Sequence, residues 1–396
     1  MKKILLTLIV FGLVGCSKEI PFDQLVERQG IYYEINSQTP FSGRVVSYYG
    51  NGLLEWKRSY KDGKLDGLSE SYFKWDQLKN KATYKDGKED GPYESYFENG
   101  QLKKKGSYKD GKEDGPYESY YYNGQLNRKT NYKDGKEDGP YESYYENGRL
   151  MAKTSYKDGK KDGPYELYHE NGRLWTKGIY IEGQKQGLWE DYYDNGQLEV
   201  KENYKDGKED GPYESYFESD QLKEKGSYKD GKRDGPYESY FRDGLLKEKG
   251  SYKDGKEDGP YESYHLNDQL EKKTSYKDGK IDGPFVSYFE NGHIYHKGNY
   301  KDGEPDGLLK WYFECCRTSY TLSKYAPEML LKRAANYKDG IRHGLSDSYN
   351  DYGGWVSSDC YKNGEKVERT PEQLTRYIRH GIEDANYLLE MSHCKK

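Results

Sequence analysis

The chain has 396 residues, of which 33% are hydrophobic and 34% charged, and its formal net charge is −5. So few apolar residues exclude a large aliphatic core, and the near balance of 64 basic against 69 acidic residues excludes the basic stripe typical of nucleic-acid-binding proteins. The 46 Tyr and 10 Phe offer rings that bury about 150–250 Å² each, so the composition predicts ordered β-structure rather than disorder.

The amino terminus reads as a secretory signal. Two lysines precede an apolar run that is too short to span a bilayer. The run ends in Leu13-Val14-Gly15-Cys16, which resembles the lipobox of bacterial lipoproteins. The resemblance implies cleavage before Cys16, a diacylglycerol on its thiol and firm membrane anchoring. Ser17 follows, where an Asp would signal retention in the inner membrane, so we expect a lipid-anchored cell-envelope protein, in the outer membrane if the cell is Gram-negative.

A constant period organises the middle of the chain. A tyrosine recurs every 24 residues from Tyr60 to Tyr300, and most copies open the phrase Tyr-Lys-Asp-Gly-Lys-x-Asp-Gly-Pro-Tyr-Glu-Ser-Tyr. A fixed period of this size indicates a repeat architecture. We divide the chain into 1–15 (signal peptide), 16–40 (lipidated Cys and connector, with a first strand at 31–33), 41–307 (repeat array), 308–336 (irregular insertion), 337–369 (terminal degenerate repeats) and 370–396 (amphipathic helix).

Each repeat carries two turn signals. Asn99-Gly100 and Asp110-Gly111 are dipeptides of the type that forms two-residue hairpin turns with positive φ at both positions. A two-residue turn at Asn99-Gly100 predicts the cross-strand pairs Phe97–Leu102, Tyr96–Lys103, Glu94–Lys105 and Tyr93–Gly106. Alternation along the strands then gives one face with Tyr93, Phe97, Leu102 and Tyr108, and a second face with Glu94, Tyr96, Lys103 and Lys105.

The predicted fold is all-β: an elongated, single-layer antiparallel β-meander or solenoid of 24-residue hairpins. The period, the glycine spacing of Tyr108, Gly111 and Gly115, and the Asn-Gly turns resemble the variant MORN repeat. More closely, they resemble the bacterial YwqK-like family, over residues 41 to 364. This resemblance implies β-hairpin arrays that scaffold proteins or lie near membranes. YwqK-like members are named antitoxin components, which implies binding a toxin polypeptide.

The repeat pattern breaks near the carboxyl end. The segment 308–336 contains thirteen extra residues, and 326–335 has the composition of a short helix. Thr370-Pro371 begins a predicted capping α-helix, with apolar residues at helical spacing as far as Leu389. Four cysteines fall in this part of the chain, and an exported location permits disulfides among them, with three pairings open: Cys315, Cys316, Cys360 and Cys394.

No catalytic constellation, metal site or cofactor motif is predicted. Nearly all carboxylates belong to the repeat and are paired with Lys, and the Asp-Gly loops lack calcium-ligand spacing. Two function classes remain. The favoured one is a non-catalytic, membrane-tethered scaffold that binds a protein of unknown identity. The alternative is a glycan- or cell-wall-binding module whose exposed rings are Tyr96, Tyr120 and Tyr144. An antitoxin role is a third reading, and nucleic acid is not an expected partner.

Overall fold

A computed structural model of the protein describes residues 18–314, 330–351 and 354–368. The described residues form β-strands joined by turns, with one short 3-10 helix at Phe22–Gln24. The chain divides into two units, Met1–Gln184 and Lys185–Lys396. The prediction of an all-β meander of 24-residue hairpins is therefore confirmed. The predicted helix at 370–396 lies outside the described residues.

In the first unit, antiparallel neighbours follow one another along the chain. Its strands are Glu19–Pro21, Leu25–Arg28, Ile31–Glu34, Gly43–Tyr48, Leu54–Lys61, Lys64–Tyr72, Leu78–Lys85, Lys88–Tyr96, Leu102–Lys109, Lys112–Glu113, Gly115–Tyr120, Leu126–Lys133, Lys136–Glu137, Gly139–Tyr144, Leu150–Lys157, Lys160–Lys161, Gly163–Tyr168 and Leu174–Ile181.

The second unit continues the same pattern. Its strands are Gln184–Tyr192, Leu198–Lys205, Lys208–Tyr216, Leu222–Lys229, Lys232–Arg233, Gly235–Tyr240, Leu246–Lys253, Lys256–Glu257, Gly259–Tyr264, Leu270–Lys277, Lys280–Ile281, Gly283–Tyr288, Ile294–Lys301, Glu304–Pro305, Gly307–Tyr312, Leu331–Lys338, Ile341–Tyr349, Trp355–Lys362 and Glu365–Val367.

The register of one repeat matches the prediction near the middle of the hairpin and departs from it at the tip. Tyr93 pairs with Gly106 and Glu94 with Lys105, as predicted, but a bulge follows and Tyr96 pairs with Leu102 rather than Lys103. The bulge also moves Lys103 over the ring of Phe97, with its Nζ 5.6 Å from the ring centroid. The predicted placement of Lys103 and Phe97 on opposite faces is therefore wrong.

The cause is the turn itself. The backbone N–H of Gly100 donates to Phe97 O (2.9 Å) and that of Phe97 to Gln101 O (2.8 Å), so the loop has three residues. Gly100 has φ 85°, whereas Asn99 is not among the residues with positive φ. This is a type I turn closed by a left-handed glycine. Asn99 is used instead for its side chain, whose Nδ2 donates to the Tyr122 carbonyl of the next repeat (3.1 Å).

The second turn is as predicted. Asp110 and Gly111 both have positive φ, 51° and 83°, and Lys109 pairs with Lys112 across the turn. The backbone N–H of Asp110 donates to the Asp90 carboxylate at 3.2 Å, and the same bond recurs between later repeats. The aspartates of the repeated phrase therefore link each turn to the one before it.

An amino-terminal cap precedes the array. Glu19–Pro21 pairs in parallel with Gly43–Tyr48, an arrangement that the sequence analysis did not anticipate for a segment interpreted as a connector. The buried cluster beneath it consists of Ile20, Phe41, Val45 and Tyr60. These side chains cover the first hairpin of the array, where a repeat has no preceding neighbour to pack against.

The insertion occupies a hairpin tip. Gly307–Tyr312 pairs with Leu331–Lys338 in the ordinary way, and the Phe313 N–H donates to Leu330 O at 3.0 Å. The strands on either side of the insertion therefore keep the pairing of a regular hairpin. The predicted helix at 326–335 is wrong from Leu331 onward, because these residues form a strand whose two alanines, Ala334 and Ala335, are both buried.

Candidate interaction surface

In each unit, one surface of the long antiparallel sheet carries an alternating row of glutamates and lysines, which we call the Glu–Lys face. Residues directly opposite one another on antiparallel strands share a face. In the first unit the row is Lys57, Glu70, Lys81, Glu94, Lys105, Glu118, Lys129, Glu142, Lys153, Glu166 and Lys177. In the second unit it is Glu190, Lys201, Glu214, Lys225, Glu238, Lys249, Glu262 and Lys273.

Tyr96, Tyr120 and Tyr144 lie on the Glu–Lys face and are half-buried. The hydroxyl of Tyr96 donates to the carboxylate of Glu94 at 2.7 Å, and Tyr120 and Tyr144 donate in the same way to the glutamates two residues before them. Burial and this hydrogen bond raise the pKa of both Tyr96 and Tyr144 to about 12. The structure therefore gives these phenols an internal role in orienting the glutamates.

Some neighbours in this row form ion pairs, and these pairs are largely solvated. Lys105 Nζ lies 2.7 Å from Glu118, and Glu262 is held from both sides by Lys249 (2.8 Å) and Lys273 (2.9 Å). Hydrogen bonds from these two lysines lower the pKa of Glu262 to about 2. Each exposed pair contributes about 0.2–1 kcal/mol, so the row fixes side-chain positions more than it stabilises the fold.

The opposite surface, the aromatic face, holds a ring pair in each regular repeat. Tyr93 and Tyr108 have centroids 5.7 Å apart in an edge-to-face arrangement. In the second unit, Trp189 replaces the first tyrosine and packs on Tyr204 at 6.2 Å. Glycine makes room for some of these rings, because a Cβ at Gly250 would lie 2.8 Å from Tyr237. Such pairs contribute about 0.5–1.5 kcal/mol beyond the area they bury.

Charged groups are embedded among the rings of the aromatic face. The guanidinium of Arg128 lies 5.0 Å from the centroid of the Tyr117 ring and 3.6 Å from Glu137. Burial raises the pKa of Glu137 despite this cation. Burial also lowers the pKa of Lys161, whose Nζ lies 4.4 Å from the Tyr165 ring centroid. For both Glu137 and Lys161, burial therefore makes the charged form less stable than it is in water.

Three exposed rings near the hairpin tips were missed by sequence reasoning. Trp75, Tyr122 and Trp175 are 52%, 58% and 45% exposed. Each packs against one ring: Trp75 on Phe73 (5.2 Å), Tyr122 on Phe97 (5.2 Å), and Trp175 on His169 (5.1 Å). The signal that could have found them is an aromatic residue outside the repeated phrase, because it has no fixed partner in the other copies.

The other predicted site residues lie mostly outside the described part of the chain. This holds for the lipobox residues Leu13, Val14 and Gly15, for Cys16, and for Cys315, Cys316 and Cys394. Cys360 is buried and takes part in a disulfide bond. Its partner lies outside the described residues, so the connectivity stays a prediction.

The described residues offer neither a cluster of metal ligands nor a helix suited to span a membrane. No group of three or more His, Cys, Asp or Glu side chains in 18–314, 330–351 and 354–368 has the geometry to hold a metal ion. Within those same ranges, no helix combines the length and hydropathy that a membrane span requires.

Comparison with solved structures returned similarity to much longer chains. The matches include TcdB2-TccC3 (12% identity, 84% of this chain, 21% of that chain, TM-score 0.17) and TcdB2-TccC3-Cdc42 (12% identity, 84% of this chain, 22% of that chain, TM-score 0.16). This chain thus spans about a fifth of the length of those chains, and TM-scores this low carry no argument. No curated protein matched the chain.

Comparison with protein families gave a result that agrees with the hairpin geometry. The family described as MORN repeat variant matches in nine tandem copies, which together make up half of the chain. The matched residues are 89–110, 113–134, 137–158, 161–182, 185–206, 209–230, 233–254, 257–278 and 281–302. The chain therefore belongs to the MORN repeat variant family.

Proposed function

We propose that this protein is a non-catalytic, lipid-anchored scaffold of the bacterial cell envelope that binds another protein through its Glu–Lys face. The observation that carries the proposal is the regular row of charged side chains on that face. The lysine side chains of the row remain accessible even where they form ion pairs. Lys105, for example, is 46% exposed although it pairs with Glu118. A periodic, rigid row of charge suits recognition of an extended polypeptide surface.

Its rigidity comes from bonds between repeats. The Tyr121 hydroxyl donates to the Tyr144 carbonyl (2.8 Å), and Asn123 Nδ2 donates to the Glu146 carbonyl (3.0 Å). These bonds hold neighbouring hairpins in one register, so the spacing of the charged groups is set before a partner arrives. A surface organised in advance loses less conformational entropy on binding.

Crosslinking in native membranes, followed by identification of the trapped protein, tests the proposal. We expect one protein to be captured at high yield, and its capture to fall at high salt because the contact is electrostatic. Recovery of the scaffold alone under all conditions would contradict the proposal. A captured toxin polypeptide would identify the partner as the one that an antitoxin role requires.

A glycan-binding function is the second candidate, and it draws support from the exposed rings at the hairpin tips. Trp75, Tyr122 and Trp175 present open faces, as stacking on sugar rings requires, whereas the hydroxyls of Tyr96, Tyr120 and Tyr144 are already engaged. A pull-down with peptidoglycan and soluble polysaccharides separates the candidates. Saturable binding that free sugar competes away, and that W75A/W175A abolishes, would favour the glycan reading.

A further inference from the structure

The alternation of the Glu–Lys face ends at one position in the second unit. After Lys273 the row continues with Val286, Lys297 and Lys310, so a valine stands where the repeat carries a glutamate. Lys297 and Lys310 are direct cross-strand partners, and like charges in that position repel. Beyond them the row ends in Ala334, Asp347 and Ser358.

The two lysines lack acidic partners. Within the described ranges neither Lys297 nor Lys310 lies within ion-pair distance of a carboxylate, whereas Lys273 is paired with Glu262. Lys297 Nζ lies 5.6 Å from the Tyr312 ring centroid. Burial and the neighbouring Lys297 lower the pKa of Lys310. Lys310 is therefore partly desolvated, and within the described ranges neither lysine has the ion pair that Lys105, Lys225, Lys249 and Lys273 form along the row.

A groove of about 560 Å³ lies at this break. Its lining includes Lys273, Val286, Lys297 and Lys310. The register also places Ser275, Pro284, Asn299 and Leu308, which line the groove, on the same face, because each is two residues along its strand from a member of the row. The groove therefore combines three ammonium groups with a floor that is partly apolar and partly able to hydrogen-bond.

The preceding repeat shows which group occupies the position between two lysines of the row. One repeat earlier, the Glu262 carboxylate sits between Lys249 and Lys273 at 2.8 and 2.9 Å. The equivalent position above Val286 lies between Lys273 and Lys297, and the smaller valine leaves it open. We propose that this groove binds a carboxylate side chain of an acidic polypeptide segment, which completes the row from outside. The inference rests on the proposed protein-binding function and specifies the chemistry of its partner.

Binding of a fluorescently labelled hexaglutamate peptide to the full-length protein, measured by anisotropy at low ionic strength, tests the site. Two variants address it from opposite sides: K297Q/K310Q removes the cations, and V286E supplies an internal carboxylate. We expect each to weaken binding by about tenfold or more. The control is K104Q, which removes an exposed lysine of the aromatic face and should change binding by less than about twofold.

V286E is decisive for folding as well as binding, because it restores the residue type of the regular repeat and should leave the circular dichroism spectrum unchanged. Equal weakening by K104Q and K297Q/K310Q would overturn the proposal by showing diffuse electrostatic attraction. Competition by inorganic phosphate at the concentration at which the peptide itself competes would overturn the assignment to a polypeptide. A protein captured equally by wild type and V286E in native membranes would leave the scaffold function standing and defeat this inference alone.

Discussion

The repeat array and the carboxyl-terminal strands of the second unit stabilise the same hairpin fold by different means. In the array, tyrosine rings pack in pairs on one face, as in Tyr261–Tyr276 (5.4 Å). The glutamates and lysines of the row, some of them ion-paired, lie on the other face. Consecutive residues are buried in the strands Leu331–Lys338 and Ile341–Tyr349. They are Ala334 and Ala335 in the first strand, and a run that includes Leu345 to Asp347 in the second. Because strand residues alternate faces, burial of consecutive residues means that both faces are covered there.

The difference shows how a chain with so few aliphatic residues folds. A tyrosine ring that packs over a glycine or threonine of the neighbouring strand buries apolar surface. On a single sheet layer this burial is enough to stabilise the fold when each repeat also covers the next. Buried aliphatic residues such as Ala334 and Leu309 are concentrated where both faces of the strands are covered. Variants that damage one region should therefore leave the other intact, and the following predictions are ordered by expected effect.

The largest effect is expected from Leu309→Ala. Leu309 is 1% exposed and packs so closely on Gly298 that a Cβ there would lie 2.6 Å from Leu309 Cγ. The cavity should cost about 4 kcal/mol of unfolding free energy, measured by urea denaturation with hydrogen exchange to localise the change. Leu188→Ala, at an exposed position, is the control. Similar losses in both variants would contradict a buried core at this end.

Tyr237→Ala should cost about 3 kcal/mol, with the effect confined to adjacent hairpins. Tyr237 is buried and packs on Tyr252 at 4.8 Å. Hydrogen exchange should rise in Gly235–Tyr240 and Leu246–Lys253 and remain unchanged near Leu309, because each repeat contacts only its neighbours. The matched control is Tyr122→Ala at an exposed ring. Uniform loss of protection throughout the second unit would show that the repeats do not behave as nearest-neighbour units.

Asp347→Asn is expected to stabilise the carboxyl-terminal strands by about 1 kcal/mol. Asp347 is 1% exposed, and among the residues that the structure describes neither its carboxylate oxygens nor the hydroxyl of its cross-strand neighbour Ser358 has a hydrogen-bond partner. The exposed Asp86, at which Asn can adopt the same positive φ of 51°, provides the control. A thermal melt with lowered midpoint for D347N would refute the view that this charge is uncompensated.

The two faces should respond to pH with opposite signs. The pKa of Glu262 is lowered from 4.5 to about 2, so its ion pairs stabilise the fold above pH 4.5 and this contribution is lost as the pH falls toward 2. The pKa of Glu137 is raised from 4.5, so its ionisation destabilises the fold once the pH rises above that value. E262Q should therefore lower stability at pH 7 and E137Q should increase it, each by about 0.5–1 kcal/mol.

Unfolding measurements at pH 7 and pH 3 check this pair, with E98Q at an exposed turn residue as the control. The stabilisation by E137Q should disappear at pH 3, where the native carboxyl is protonated in both folded and unfolded states. Effects of the same sign in E262Q and E137Q would show that the two faces do not differ electrostatically.

Much of this fold was predictable because the signal is repeated. The period located every hairpin from 41 to 307, and the pairing of Glu94 with Lys105 followed from alternation alone. The tip geometry was not predictable, since Asn99-Gly100 is compatible with a two-residue or a three-residue loop, and only the backbone hydrogen bonds of Phe97 distinguish the two. The cap at Glu19–Pro21 was missed because a three-residue parallel strand has no periodic pattern.

The candidate site was predicted in composition but not in role. Tyr96, Tyr120 and Tyr144 do share a face, yet the acceptor for each hydroxyl is two residues back on its own strand, a contact that residue type alone does not reveal. The break at Val286 is visible in the sequence only after the register has shown that it belongs to the Glu–Lys row.

Site-specific photocrosslinking in native membranes tests the central claim most directly. Lys129 and Lys104 are both exposed lysines, but Lys129 lies in the Glu–Lys row and Lys104 pairs with Ser95 on the aromatic face. With a photoreactive residue at each position in turn, we expect the Lys129 position to capture a distinct protein and the Lys104 position to capture none. Capture from the Lys104 position alone, or from neither, would contradict a scaffold that binds through its Glu–Lys face.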